Sequence, residues 1–475
     1  MKPNLRLIVA FLGAALGLAS CGGNEQLASG GVGEGGTGIV IGTTTGFGSV
    51  IVDGAPWDDR AARIEVEIDP GAPTELADLK LGQRVELEYA QPDAARRIRI
   101  EAEAIGPIAS VDASAGQLTV AGQTVRANAD PLAGPVTLLD GVADLAALTS
   151  GDIVEIHGVP RFDAAAGRSV LLASRIEKRA SLPAGRIRVA GRMQDYDPAT
   201  RRFRLGDLAV AADAALIVPA NRTLANGTSV VVWGDAPLGA GPTLQARFVR
   251  IRERASPGRE AQIAGPVSRY DAANARFEIG DIAVDARAAT IEPASQMLAD
   301  GKYAVVKGLF GSDGVLLAST VKIRRPGAGD IEIELAGTIT DFAGAADFRV
   351  RGVRVDAAAA RLTACPATGL AADLYVEIEG SLQGGRTVAS RVNCRPEPGT
   401  GAVVERRGRA DNVDVTSRRF TLTPAAGATI AVVWTETTLF VAPLAPESLT
   451  GRDVEVIGYF GAGGVFTARR IAVRN

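Results

Sequence analysis

Beyond about residue 37 the chain alternates apolar and polar residues in short runs. Val85-Glu86-Leu87-Glu88-Tyr89 and Val454-Glu455-Val456-Ile457-Gly458 put every second side chain on one face. That is the pattern of a half-buried strand, whose successive side chains point to opposite sides. Tyr270-Asp271-Ala272-Ala273-Asn274-Ala275-Arg276-Phe277 reads as strand, polar turn, strand. Gly280-Asp281 and Gly352 mark a second tight turn before Val284 and Val355. A less regular segment follows, read as one helical turn, and then two further strands. No long helical period interrupts the alternation.

The pattern recurs. Gly191, Tyr196, Phe203, Gly206, Asp207, Gly227 and Gly234 match Gly265, Tyr270, Phe277, Gly280, Asp281, Gly301 and Gly308 at a single offset. The next copy begins at Gly337 and carries Phe342, Phe348, Val355, Asp356 and Gly380. Unit ends are alike: Leu317-Ala318-Ser319-Thr320-Val321 resembles Val388-Ala389-Ser390-Arg391-Val392 and Leu172-Ala173-Ser174-Arg175-Ile176. Working outward gives six units, at 37–104, 105–180, 186–255, 261–326, 331–397 and 402–475. Turn-rich joints such as 181–185 and 325–329 separate them. About five strands per unit of roughly seventy residues predict an all-β tandem array of about six small β-barrel or OB-like modules. So small a core is marginal alone, and neighbouring units are expected to pack together or share an edge.

The start of the chain is different. Lys2 and Arg6 precede an apolar run from Leu7 to Leu18, which is too short for a comfortable transmembrane helix. Leu18-Ala19-Ser20-Cys21 resembles the lipobox of bacterial lipoproteins. The resemblance implies a signal peptide at 1–20, lipid on Cys21, and membrane attachment through that lipid. An ordinary secretory signal with a chance cysteine is the alternative. Residues 21–36 are Gly-rich and read as a flexible tether. Gly22 and Gly23 stand where an aspartate marks inner-membrane retention in that family, which points to the outer membrane, on its periplasmic or surface face.

The chain has 475 residues and three cysteines. With Cys21 assigned to lipid, Cys365 and Cys394 remain inside one unit, and an envelope compartment permits a disulfide. They are expected to be bridged, two free thiols being the alternative. A formal net charge of −3 with few aromatics gives no footing for nucleic-acid binding.

Gly46-Phe47-Gly48-Ser49-Val50-Ile51-Val52-Asp53-Gly54, Leu81-Gly82-Gln83-Arg84-Val85-Glu86-Leu87 and the closing Ala-Ser/Arg-x-Val/Ile strand resemble an uncharacterised family of bacterial envelope repeats, DUF5666. The resemblance implies tandem modules behind a lipoprotein signal. It supplies no catalytic residue.

Candidate chemistry is sparse. The single histidine, His157, sits where other units place Glu88, Trp233, Lys307, Glu379 and Ile457. A position that accepts such different residues reads as an outward strand position rather than a general base. Glu86, Glu155, Glu377 and Glu455 recur once per unit; they read as a solvated sheet face, with a cation-binding ladder as the alternative. Asp53, Asp285 and Asp356 read as turn formers. Phosphate-loop, HExxH and CxxC motifs are absent, so no metal and no cofactor are expected. The Arg-rich closing strands, Arg247, Arg250 and Arg252 with Arg469 and Arg470, form a possible binding face for anionic envelope polymers. The alternative is an edge guarded by charge.

These readings favour a non-enzymatic cell-envelope lipoprotein, a multi-module β scaffold or binding protein for envelope protein or glycan. The alternative is an accessory or catalytic component acting on envelope polysaccharide.

Overall fold

The structure is a computed structural model. It describes residues 38–164, 167–235, 243–254, 256–324, 333–383, 385–395, 401–425 and 427–474. The signal segment, Cys21, the tether and the 325–329 joint lie outside the described residues.

Strands form where the alternation predicts them. Tyr375–Gln383 and Leu316–Ile323 expose and bury successive side chains in turn. Other strands are buried on both faces: Gly38–Phe47 throughout, and Glu260–Asp271 over most of its length. Two-sided burial needs a second layer, and neighbouring repeats supply it.

Repeats four and five share one strand path. In the fourth, Glu260–Asp271 pairs antiparallel with Arg276–Ile279, which pairs with Ile282–Asp285. Tyr303–Phe310 then returns antiparallel to the first strand, and Leu316–Ile323 closes beside it. The fifth repeat follows the same path from Ile333–Gly344 to Arg386–Arg395. The segment expected as a helical turn is instead the short strand Thr290–Glu292, parallel to the closing strand. Repeats two, four and five, where the segment pairs as a separate short strand, therefore each hold six strands, one more than the five expected.

The recurring glycine before the closing strand has a steric cause. The last hairpin of repeats two to six shifts register at His157/Gly158, Trp233/Gly234, Lys307/Gly308, Glu379/Gly380 and Ile457/Gly458. At this bulge the opposite strand comes close. A Cβ on Gly158 would lie 2.3 Å from the Leu172 carbonyl oxygen, and one on Gly308 2.1 Å from that of Leu317.

The repeats are not separate bodies. Gly38–Phe47 pairs in parallel with Glu260–Asp271 and with Ile333–Gly344, joining repeats one, four and five in a 19-stranded sheet. Ala104–Asp112 pairs with Arg186–Arg192, joining repeats two and three in a 13-stranded sheet. The cores follow the sheets: one apolar cluster runs from Ala104 to Val249 across repeats two and three. Another joins Ile39 and Ile41 of repeat one to the core of repeat four. The strands of residues 403–473 close on themselves.

This corrects the expected row of six small barrel or OB-like modules. The chain is all-β, with about 60% strand, and is arranged as a β-solenoid of about 11 turns. A core of one repeat is too small to stand alone, so strand edges and apolar faces are shared between repeats.

Candidate functional site

The densest concentration of charge lies where repeats one, three and four meet. Glu101 and Glu103 follow the strand Ala94–Ile100, and both are buried. Arg250, Arg252 and Arg254 alternate along the end of repeat three, so all three can face the same side. Arg188 enters from the strand Arg186–Arg192.

Arg188 donates to Glu101 at 2.9 Å and Arg250 donates to it at 3.3 Å. Arg252 grips Glu103 with both terminal nitrogens at 3.2 Å. Arg254 donates to Asp281 of repeat four at 2.8 Å and to Glu86 of repeat one at 3.3 Å. The guanidinium groups of Arg188 and Arg250 also lie over the Trp233 ring, at 5.4 and 5.8 Å, a favourable placement of a cation on an aromatic face.

Burial alone would raise the Glu101 pKa, but Arg250, Arg188 and Arg252 outweigh it and hold the carboxyl well below its usual range. Arg252 shows the converse: burial would lower it, but Glu103, Glu101 and Asp281 outweigh burial and raise it. Asp281 is lowered, its burial overcome by Arg254, Arg252 and the Ser229 hydroxyl. Charges so matched stay ionised. They border a cavity of about 230 Å³ walled by Glu86, Arg99, Pro219 and Arg250. Glu86 and Glu101 are both engaged by guanidinium, so neither is free to act as a general base.

His157 lies beside this seam and is 0% exposed. Its Nε2 is 2.8 Å from Glu155, and the Arg84 amide of repeat one donates to Nδ1 at 3.3 Å. Nδ1 also lies 3.2 Å from the Glu101 carbonyl oxygen, so the ring is held between Glu155 and the backbone of repeat one, its donor and acceptor roles set by the tautomer. Burial raises Glu155, but His157 and then Arg179 and Arg188 overcome it and leave the carboxyl at about 2. The outward position expected for His157 is thus corrected: repeat one covers that face.

The recurring glutamates do not form a ladder. Glu86 pairs with Arg254, Glu155 with Arg179, Glu377 with Arg395 and Glu455 with Arg407. Of the four, Glu377 fits the expected solvated face best, at 42% side-chain exposure. Among the described residues no group of three or more His, Cys, Asp or Glu is placed to hold a metal ion. Asp285 and Asp356 accept backbone N–H groups two residues on, as turn formers do. Asp53 does more: it accepts from the Thr43 amide at 2.7 Å and from the Tyr303 hydroxyl of repeat four at 2.6 Å.

The five arginines of the possible binding face are not brought together. Arg247 is 63% exposed and pairs with Asp235. Arg250 and Arg252 are turned into the seam. Arg469 pairs with the buried Asp59, and Arg470 with Asp78 and Glu455. An open face of five arginines is therefore corrected; four of them join one repeat to another or brace their own sheet. Cys365 and Cys394 form a disulfide, with an S–S distance of 2.05 Å and a Cα separation of 4.8 Å.

A second charged junction joins repeats one, five and six. Asp59, Asp78, Arg351, Arg469 and Arg470 border a cavity of about 40 Å³. Nearby, Arg407 donates to Glu405 at 3.1 Å and to Glu455 at 2.8 Å. Burial, then the hydrogen bond and charge of Glu455, raise Glu405 to about 8, against the opposing pull of Arg407 and Arg351. Sequence reading takes Asp281 only as a turn marker matched by Asp207, and does not single out Arg351 or Glu405. Nothing in the strand alternation marks these three as junction residues.

Comparison with known proteins was informative for the family alone. The family described as "Domain of unknown function (DUF5666)" matches residues 105–177, 264–322 and 336–393, within repeats two, four and five. Residues 46–54, which carry part of the resemblance seen in the sequence, lie outside those segments. No curated protein matches the chain. A solved structure titled "drosophila Unr CSD456" is similar at 12% identity over 46% of this chain and 98% of that one, with a TM-score of 0.14.

Proposed function

We propose, for a chain that carries DUF5666 domains in tandem, a non-enzymatic role as a scaffold or binding protein of the bacterial cell envelope. One observation carries this reading. Of the charged side chains most suggestive of chemistry, Glu101 and Glu103 bind Arg250 and Arg252 across a repeat boundary, and Glu155 and His157 bind each other against the backbone of repeat one. Groups committed to holding a framework rigid are poorly placed to bind and turn over substrate.

The lipobox-like 18–21 segment and the Cys365–Cys394 bridge suit an oxidising envelope compartment. The anchor would be lipid on Cys21, and the partners an envelope protein or glycan. The alternative role on polysaccharide finds little support in the Glu405–Glu455 pair, because Glu405 is buried.

The test uses the Cys21→Ala chain. It should leave the membrane fraction while the parent stays in it. The released protein, applied to sacculi, lipopolysaccharide and solubilised membrane proteins, should be retained on one fraction. Membrane association that survives the substitution contradicts the anchor. Turnover of an envelope glycan, abolished by a single carboxylate substitution, contradicts the non-enzymatic reading.

A further inference from the structure

The turn between the second and third strands of a repeat reaches across to a neighbour. In repeat one it presents Asp53, which accepts from Tyr303 of repeat four. In repeat four it presents Asp281, matched by Arg254 of repeat three. In repeat five it presents Arg351, between Asp347–Val350 and Val353–Asp356. Asp53 and Asp281 each meet a donor or a cation. Arg351 is paired with no carboxylate: among the described residues no ion pair or side-chain hydrogen bond engages it, although Asp59, Asp78 and Glu405 lie near enough to act on its charge.

The position is built around the arginine. Arg351 has φ 53°, in the left-handed region that an arginine adopts at some energetic cost. Its guanidinium lies over the Phe47 ring of repeat one at 5.3 Å. Gly337 leaves room for its stem, since a Cβ there would come within 3.0 Å of the Arg351 Cγ. Its Nη1 is shut off from solvent without a hydrogen-bond partner. Buried N–H groups are rarely left unmatched, and a bound water or ion is one explanation when they are.

The adjoining cavity is lined by Arg351, Arg469, Arg470, Asp59, Asp78 and Thr437 among its polar residues. Arg469 pairs with Asp59, and Arg470 with Asp78 and with Glu455 from outside the lining, so Arg351 is the lining cation left without an ion pair among the described residues. The volume, about 40 Å³, has room for a small ion or a few waters. We propose that this cavity binds a small oxyanion, a phosphate or carboxylate group, held by Arg351 together with Arg469, Arg470 and the Thr437 hydroxyl. Planar guanidinium groups suit such oxygens because each offers several N–H donors in a fixed fork. The site would join repeats one, five and six through the ligand, and it does not depend on the envelope reading.

The test is thermal unfolding of the intact protein as inorganic phosphate replaces chloride at constant ionic strength. Parallel runs use acetate and glycerol phosphate. The parent should show a saturable rise in Tm of a few degrees with at least one of these. An effect of the inorganic ion alone assigns a free anion. An equal effect of glycerol phosphate assigns the end group of a larger molecule. Arg351→Met should lose the saturable rise. Asp78→Asn, at a side chain that is 48% exposed, removes a competing charge and should reach saturation at several-fold lower phosphate. Should Arg351→Met fail to fold, Asp78→Asn still decides. No saturable rise in the parent overturns the site, and so does an unchanged midpoint in Asp78→Asn.

Discussion

Arg188 donates to Glu101 at 2.9 Å across 87 residues of sequence, and both side chains are only 5% exposed. The pair sits between the third and first repeats. Two buried charges lose much hydration, and their attraction compensates only when further partners surround them. Here Arg250, Arg252 and Trp233 do so. Such a seam is expected to specify which repeats meet and in what register more than to add net stability.

Removing one member leaves the others buried and unmatched. Glu101→Gln should destabilise the protein by about 3–5 kcal/mol, the range for an orphaned buried charge. Urea unfolding of parent and variant at neutral pH measures it. Arg247→Gln, at an exposed pair, should change stability by less than about 1 kcal/mol.

Acid should undo the seam. Glu155 is depressed to about 2 and Glu101 lies well below its usual value. A carboxyl with a lowered folded-state pKa stabilises fully above its unfolded pKa, near 4.5, and loses that contribution as pH falls towards its folded value. Stability measured by urea unfolding should thus hold above about pH 5 and fall steeply between about pH 4.5 and 2. Glu155→Gln should be less stable at pH 7 and have a shallower acid limb.

Glu405 has the opposite sign. Burial and Glu455 raise it to about 8, so the folded protein holds a proton that the unfolded chain releases near 4.5. Its contribution is therefore greatest at low pH and declines as pH rises from about 4.5 to 8. Glu405→Gln should gain on the parent by an amount on the order of 1–3 kcal/mol between pH 6 and 9. Thermal melts across that range check it. A constant difference between the two would count against a shared proton.

The disulfide closes a loop with a sequence separation of 29 residues. Cys394→Ser should cost about 3–4 kcal/mol on the chain-entropy account. Unfolding with and without a reductant measures this, and the variant should become insensitive to the reductant.

The sequence made the strands legible because alternation reports which positions share a face. The single offset linking Gly234 to Gly308 identifies the bulge at which each closing hairpin shifts register. Alternation does not say what covers the second face. Glu155, His157 and Arg252 were therefore read as exposed, whereas neighbouring repeats bury them. The separate barrels failed for the same reason: Gly38–Phe47 finds its partners in repeats four and five, more than 200 residues away. Pairings at such separation leave no periodic trace in either strand.

Hydrogen exchange of the parent and Glu101→Gln, followed by peptide, tests most directly that the buried charges hold repeats together. Protection should fall together in Gly38–Phe47, Arg186–Arg192 and Glu260–Asp271, which belong to repeats one, three and four. The barrel of residues 403–473 should change little. Loss confined to residues beside Glu101 would contradict the account, since the seam would then be a local cluster and its charges free for another purpose.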